Sequence, residues 1–279
     1  MGLSGARMQQ FSLRYTSYVD LEKRRIQAIE EKPLPAEIEQ FVLPIGEREY
    51  QAFRVTLPEG YTYPPQQPHE EWALKHRRTV ELPEPGLIAR DVAKDPSALM
   101  NDARESGITS FMLSKYGTND WYLHSADRPV NVPSSIREII SIALAHEMSI
   151  NPNIRSFGTV NVRLEKTAEF RDHPVTHPHV DNVGKASSLY FYALPPTTQV
   201  YTGKLKSSAR DGGRSDDISS KAGGTWWKRE RVQKYIRWSS LLPNTLYRLT
   251  GDSAHSMPDL SDVAQEDLPE ERLLIRIGF

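Results

Sequence analysis

The sequence predicts a mainly β protein, its second half an antiparallel β-sandwich or barrel, with helices from the first half packed against one sheet. Two observations lead there. Past residue 155 the apolar residues recur with a period of two, which marks half-buried strands. Twenty prolines and sixteen glycines supply the many turns such a chain needs.

The elements follow in order. Residues 20–32 have a weak helical pattern, with Leu21, Ala28 and Ile29 on one side, closed by Pro33 and Pro35. Residues 58–86, rich in proline and charge, read as loop. Residues 134–148 are the clearest helix: Ile136, Ile139, Ile140, Ala143 and Leu144 recur at helical spacing, and Ser135 with Glu138 forms a capping-box sequence. His146 falls away from that apolar stripe and is expected at the surface.

The period then changes. In TVNVRLE, Val160, Val162 and Leu164 alternate with Asn161, Arg163 and Glu165. In SLYFYAL, Leu189, Phe191 and Ala193 alternate with Ser188, Tyr190 and Tyr192. Thr245–Thr250 is a short strand after a turn at Pro243 and Asn244. In the C-terminal RLLIRIGF, Leu273, Ile275, Ile277 and Phe279 alternate with Arg272, Leu274, Arg276 and Gly278. Residues 204–224 interrupt this pattern with glycine, serine and charge, and are expected to form a mobile loop or lid. The organisation expected is a single domain over 1–279: a helical or mixed supporting region to 154, then the β core from 155.

Composition narrows the function classes. The formal net charge is -1, so no global field favours nucleic acid or an anionic membrane. Residues 226–238 (WWKRERVQKYIRW) interleave aromatics with basic residues, yet against that neutral background packed tryptophans with solvated charges are the commoner outcome. With no cysteine, disulfides, thiolate nucleophiles and Cys-ligated metals are excluded. No stretch is long enough to span a bilayer and the N-terminus lacks a signal-like apolar run, so a soluble, cytoplasmic protein is expected. Gly-rich phosphate loops and the GxSxG elbow are missing too.

The chemistry concentrates in HPVTHPHVDN, which holds His173, His177, His179 and Asp181. In extended chain, residues i and i+2 project to one side, so His179 and Asp181 can reach one metal ion. The best third ligand is His255, which lies far downstream and follows the Thr245–Thr250 strand. Two imidazoles and a carboxylate on one face of a metal leave positions open, the geometry of mononuclear non-haem Fe(II) oxygenases. His177 and His179 also make the His-x-His pair that begins a cupin metal site, but no glutamate follows at Val180 to Lys185.

The pattern His179-Val180-Asp181, then His255, then an arginine of RLLIRIGF resembles the Fe(II)/2-oxoglutarate-dependent dioxygenases over residues 155–279. That resemblance implies a double-stranded β-helix (jelly-roll) core, an Fe(II) ion on His179, Asp181 and His255, and 2-oxoglutarate as cosubstrate. It also implies an arginine for the cosubstrate's distal carboxylate. Arg272 and Arg276 share a strand face and both qualify, since the planar, always-charged fork suits a carboxylate. Arg272, which opens the strand, is the first choice, although the segment that separates it from His255 is long for the family. Tyr190 and Tyr192 are further candidates for cosubstrate contact, and Asn161 and Arg163 for substrate contact. In related halogenases the carboxylate position is Gly or Ala, so Asp181 favours hydroxylation. The expected partners are dioxygen and a small polar molecule, such as an amino acid or natural-product intermediate. Two alternatives stand beside this: a cupin-type metal enzyme without 2-oxoglutarate, and a β-sandwich binding protein without redox chemistry.

Overall fold

The chain divides into two compact units, 1–35 and 36–279. The computed structural model describes residues 36–59, 80–81, 86–151, 154, 156–168, 179–180, 188–194, 199–202, 204–205, 218–221, 224–227, 237–250, 255–256, 266 and 269–279, and of 80–81, 86–87, 179–180, 199–240, 250 and 255–256 the backbone alone. The expected helix at 20–32 lies outside the described residues.

The first half is richer in strands than expected. It contributes β1 (Glu37–Ile45), β2 (Arg48–Thr56), β3 (Val80–Glu81), β4 (Gly86–Arg90), helix α1 (Pro96–Ser106), β5 (Ser110–Tyr116), β6 (Asp120–Ser125), β7 (Arg128–Pro129) and helix α2 (Ser134–Ile150). The second half contributes β8 (Phe157–Lys166), β9 (His179–Val180), β10 (Ser188–Leu194), β11 (Gln199–Thr202), β12 (Lys204–Leu205), β13 (Ile218–Lys221) and β14 (Gly224–Trp227). β15 (Arg237–Ser240), β16 (Thr245–Thr250), β17 (His255–Ser256) and β18 (Glu271–Gly278) complete it. The four strands expected from alternation are β8, β10, β16 and β18. Residues 204–224, expected as one loop, instead hold β12, β13 and the first residue of β14.

The described fold is mainly β and antiparallel. One ten-stranded sheet runs β1-β2-β6-β5-β8-β18-β10-β16-β4, with β7 on β6; a six-stranded sheet runs β13-β14-β9-β17-β11-β15; β12 pairs with β3. The large sheet therefore crosses the 154/155 boundary. β1, β2, β6 and β5 extend it beyond β8, and β4 closes its other edge.

The larger part of the core lies on the face of that sheet under α2. Phe111, Leu113, Trp121, Leu123, Val160, Val162, Leu273, Ile275 and Ile277 are at most 2% exposed, as are Ile136, Ile139, Ile140, Ala143 and Leu144 of α2. Each such aliphatic side chain contributes roughly 1.5–3 kcal/mol by leaving water. β10, in the middle of the sheet, is buried at all seven positions rather than alternately. Alternation there records chemistry, not exposure, because both faces are covered.

Helix ends differ from expectation in an instructive way. α1 carries clear signals: Asp95 accepts hydrogen bonds from the Ser97 and Ala98 amides, Pro96 opens the helix, and Gly107 ends it at φ +59°. The capping box at Ser135 does not form. α2 starts at Ser134, the residue expected, but with Pro133 at the N-cap, and the Ser135 hydroxyl donates to Asp102 Oδ2 at 2.6 Å. A carboxylate on α1 competes successfully for the capping hydroxyl.

Candidate metal centre

In the six-stranded sheet, β9 lies between β14 and β17. The register pairs His255 with His179 directly. The same cross-strand row continues to Trp226 on β14 and to Val200 on β11. Opposed residues of an antiparallel pair stand about 4.5–5.5 Å apart at Cα and occupy one face of the sheet. Two histidines far apart in sequence thus come to one place through long-range pairing. Asp181, His173 and His177 lie outside the described residues. Among the described residues, no three His, Asp or Glu side chains gather as a metal group.

The other candidates lie on the large sheet. β18 pairs with β8 so that Arg272 faces Glu165, Leu274 faces Arg163 and Arg276 faces Asn161. These positions share the face turned away from α2. Arg272 is 1% exposed, and its Nε and Nη2 donate to Glu165 Oε2 at 2.7 and 2.5 Å. Burial holds this guanidinium below the usual arginine range; the Glu165 carboxylate opposes that shift, and the charge of Arg163 adds to it. Arg272 thus spends two of its donor nitrogens on an internal carboxylate. Arg276 and Asn161 are half-buried, and Arg163 is exposed.

Tyr190 and Tyr192 sit on the opposite face, among the helix-side groups. The Tyr190 hydroxyl donates to Glu147 Oε2 at 2.9 Å and meets His146 Nδ1 at 2.7 Å; Tyr192 donates to Asn244 Oδ1 at 2.7 Å. A strand has two faces, and α2 takes the phenols, so they are separated from Arg163, Arg272 and Arg276. Burial, reinforced by the Glu147 charge, raises the Tyr190 phenol well above its ordinary value, and burial raises Tyr192 as well.

These phenols belong to a buried polar cluster. Glu147 accepts from Ser188 Oγ at 2.9 Å, from Tyr190, and from Arg248 Nε at 3.2 Å. Arg248 Nη2 also reaches Ser188 Oγ at 2.7 Å. His146, expected at the surface, is 3% exposed. Since the phenol's one proton goes to the Glu147 carboxylate, its oxygen accepts from His146, which places that imidazole's proton on Nδ1. Burial first, and then the Arg248 charge, lower its pKa to about 3. The sequence signal for this cluster was two adjacent polar residues, His146 and Glu147, directly after the apolar run Ile142 to Ala145. Their partners lie on β10 and β16, distant in the chain and beyond any local pattern.

His124, without an evident sequence partner, is buried too. Its Nδ1 accepts from the Asp127 amide at 3.3 Å, and Nε2 meets Ser114 Oγ at 2.8 Å. That polarity puts the imidazole proton on Nε2 and leaves it no capacity to take the serine proton. The trio therefore lacks the polarity of a nucleophilic triad. A cleft of about 660 Å³ opens beside α1 and α2, lined by Gln40, Lys94, Asp102 and Glu138 among others. No helix among the described residues is long and apolar enough to cross a membrane.

No protein-family model matches the chain, and no curated protein does. Among solved structures it is similar to EvdO2 from Micromonospora carbonacea var. aurantiaca complexed with 2-oxoglutarate. The identity is 11% over 78% of this chain and 91% of that one, with a TM-score of 0.30. That overlap is too slight to assign chemistry from.

Proposed function

We propose that this protein is an Fe(II)/2-oxoglutarate-dependent oxygenase whose metal is held by His179, Asp181 and His255. The observation that carries the reading is the register pair His179–His255. It brings together two imidazole-bearing residues that the sequence keeps far apart, with a carboxylate two residues beyond the first. This donor set fits a metal that takes two imidazoles and one carboxylate on one face.

Strand order supports a jelly-roll core around that site. β8, β18, β10 and β16 are neighbours in one sheet, while β9, β17, β11 and β15 are neighbours in the other. Successive strands from β8 to β11, and again from β15 to β18, fall alternately in the two sheets. A double-stranded β-helix requires that alternation.

Iron(II) bound there would supply the activation of dioxygen at the expense of 2-oxoglutarate. The protein's part is to bind, orient and exclude. Arg276 is our choice for the distal carboxylate of 2-oxoglutarate, because it is only half-buried and so within a ligand's reach. Arg272 shares its face but is buried, with its Nε and Nη2 engaged by Glu165. Arg272 then acts as an internal strut between β18 and β8. Asn161, opposite Arg276, and the exposed Arg163 lie along the same face and are assigned to a small polar substrate carrying an anionic group. Asp181 occupies the third ligand position, so hydroxylation of an unactivated C–H bond is the reaction assigned. Tyr190 and Tyr192 take no part.

The test is spectroscopic. Anaerobic addition of Fe(II) and 2-oxoglutarate should give a weak visible absorption band in the wild-type protein and none in His179→Ala. Absence of the band from the wild type, with metal content unchanged in His179→Ala, would sink the assignment. A band-free protein that still binds metal through His179 would instead be of the cupin type.

A further inference from the structure

The large sheet ends on β1. Among the described residues this strand pairs with β2 alone, in unbroken register from Glu37↔Thr56 to Ile45↔Arg48. Gly46 and Glu47 form a two-residue turn between them, and the residues that flank such a turn hydrogen-bond to each other. Bonding then alternates along an antiparallel pair. The odd-numbered residues of β1 thus direct their peptide groups to β2, while Ile38, Gln40, Val42 and Pro44 turn theirs outward. The outer edge offers the N–H groups of Ile38, Gln40 and Val42 and the carbonyls of all four. Gln40 is exposed, and Val42 is 56% exposed. Sheets commonly guard a long edge with a bulge, a proline or a covering element. Here Pro44 guards the turn end, and the stretch Ile38 to Val42 has neither proline nor bulge.

A strand added at this edge would alternate its side chains between two faces, as β1 does. Ile38 and Gln40 stand opposite the buried Val55 and Phe53, so they belong to the α2 side of the sheet. Both also line the cleft of about 660 Å³ beside α1 and α2. Every second side chain of the added strand would therefore turn towards that cleft. The charges there are Asp95, Asp102 and Glu138 against one lysine, Lys94. Glu138 is exposed, and among the described residues it has no cationic partner. On the other face of β1 the exposed residues are Glu37 and Glu39; Glu39 meets Arg54 at 3.3 Å. Both faces of the edge are acidic, so a basic strand is the complement. A second copy of β1 would bring its own glutamates to the same place and matches less well.

We propose that the outer edge of β1 and the adjoining cleft are a docking site for an extended, basic segment of a partner protein. Its backbone pairs with Ile38, Gln40 and Val42, and its alternate Lys or Arg side chains face Glu138 and Asp102. Main-chain bonds of this kind supply affinity, and the side chains on either face supply selectivity. The proposal does not depend on the metal site.

The experiment uses the full-length protein and a fluorescent peptide of four Lys-Val repeats, read by anisotropy. The peptide should bind saturably, and a Glu-Val peptide of equal length at least tenfold more weakly. Gln40→Pro removes one outward donor and leaves the ladder to β2 intact. It should weaken Lys-Val binding at least tenfold while the melting temperature stays within a few degrees of wild type. Glu138→Lys should weaken it at least fivefold. No saturable binding, or affinity within twofold of wild type in Gln40→Pro, overturns the proposal, since charge alone would then account for any attraction. Should Gln40→Pro not fold, the same bonds are removed from the other side. A Lys-Val peptide N-methylated at every residue keeps its charge and loses its N–H donors; it should bind at least tenfold more weakly, and equal binding overturns the proposal. Sedimentation of the protein alone is the remaining arm. A concentration-dependent dimer that Gln40→Pro abolishes, or that the Lys-Val peptide fails to displace, would make β1 a self-pairing edge and refute the basic partner.

Discussion

Acidification should unfold this protein partly through one histidine. His146 lies against Tyr190 beneath α2 and is 3% exposed. Its pKa is about 3 in the folded state, against an ordinary value of 6.5. A depressed folded pKa means that the unfolded chain takes up the proton first. The contribution of neutral His146 is thus complete above pH 6.5, is lost as pH falls from 6.5 to about 3, and levels off below. At pH 5 the loss is RT ln(1 + 10^1.5), about 2 kcal/mol, an order-of-magnitude figure built on that pKa difference. Such a loss is a sizeable fraction of the usual 5–15 kcal/mol for a domain. The perturbation is His146→Asn, which keeps a hydrogen-bonding atom near the position of Nδ1 and does not titrate. Urea unfolding followed by circular dichroism at pH 7.5 and pH 5 should show the wild type losing about 2 kcal/mol more than the variant. Carboxylates titrate in both proteins and cancel in the difference. Equal losses in the two proteins would refute the reasoning.

Two further outcomes follow from the fold. Asn244 holds φ +54° in the turn before β16, where its side chain accepts from the Ala93 amide and the Tyr192 hydroxyl and donates to the Ala93 carbonyl. Asn244→Ala should cost roughly 3–4 kcal/mol in urea titration, from about 1 kcal/mol per hydrogen bond plus backbone strain, and Asn244→Gly should recover only the strain of about 1 kcal/mol. The two arginines of β18 should separate cleanly. Arg276→Met should raise the 2-oxoglutarate concentration for half-saturation at least tenfold. Arg272→Met, which strands the Glu165 carboxylate, should lower the melting temperature by several degrees.

Much of the β architecture was legible because its signal is local. The alternation in TVNVRLE, SLYFYAL, TLYRLT and RLLIRIGF follows from the two faces of an extended chain, and those segments are β8, β10, β16 and β18. The 3.6-residue recurrence of Ile136, Ile139 and Leu144 marked α2 in the same way. The strands of the first half were not anticipated. β1 and β2 are joined by a tight turn at Gly46, φ +62°, with a modest apolar content whose meaning depends on the sheet they extend.

The sequence by itself determined the candidate ligands, a His-x-Asp and a distant histidine, and four of the strands of the large sheet. Tertiary structure alone decided how they combine. It opposed His255 to His179, turned Tyr190 and Tyr192 towards α2, and engaged Arg272 with Glu165. Periodicity is a property of neighbouring residues, and it states which positions share a face. Which face is covered by a helix, and which residue stands opposite in the register, depends on pairing between segments far apart in the chain, and no local pattern encodes it.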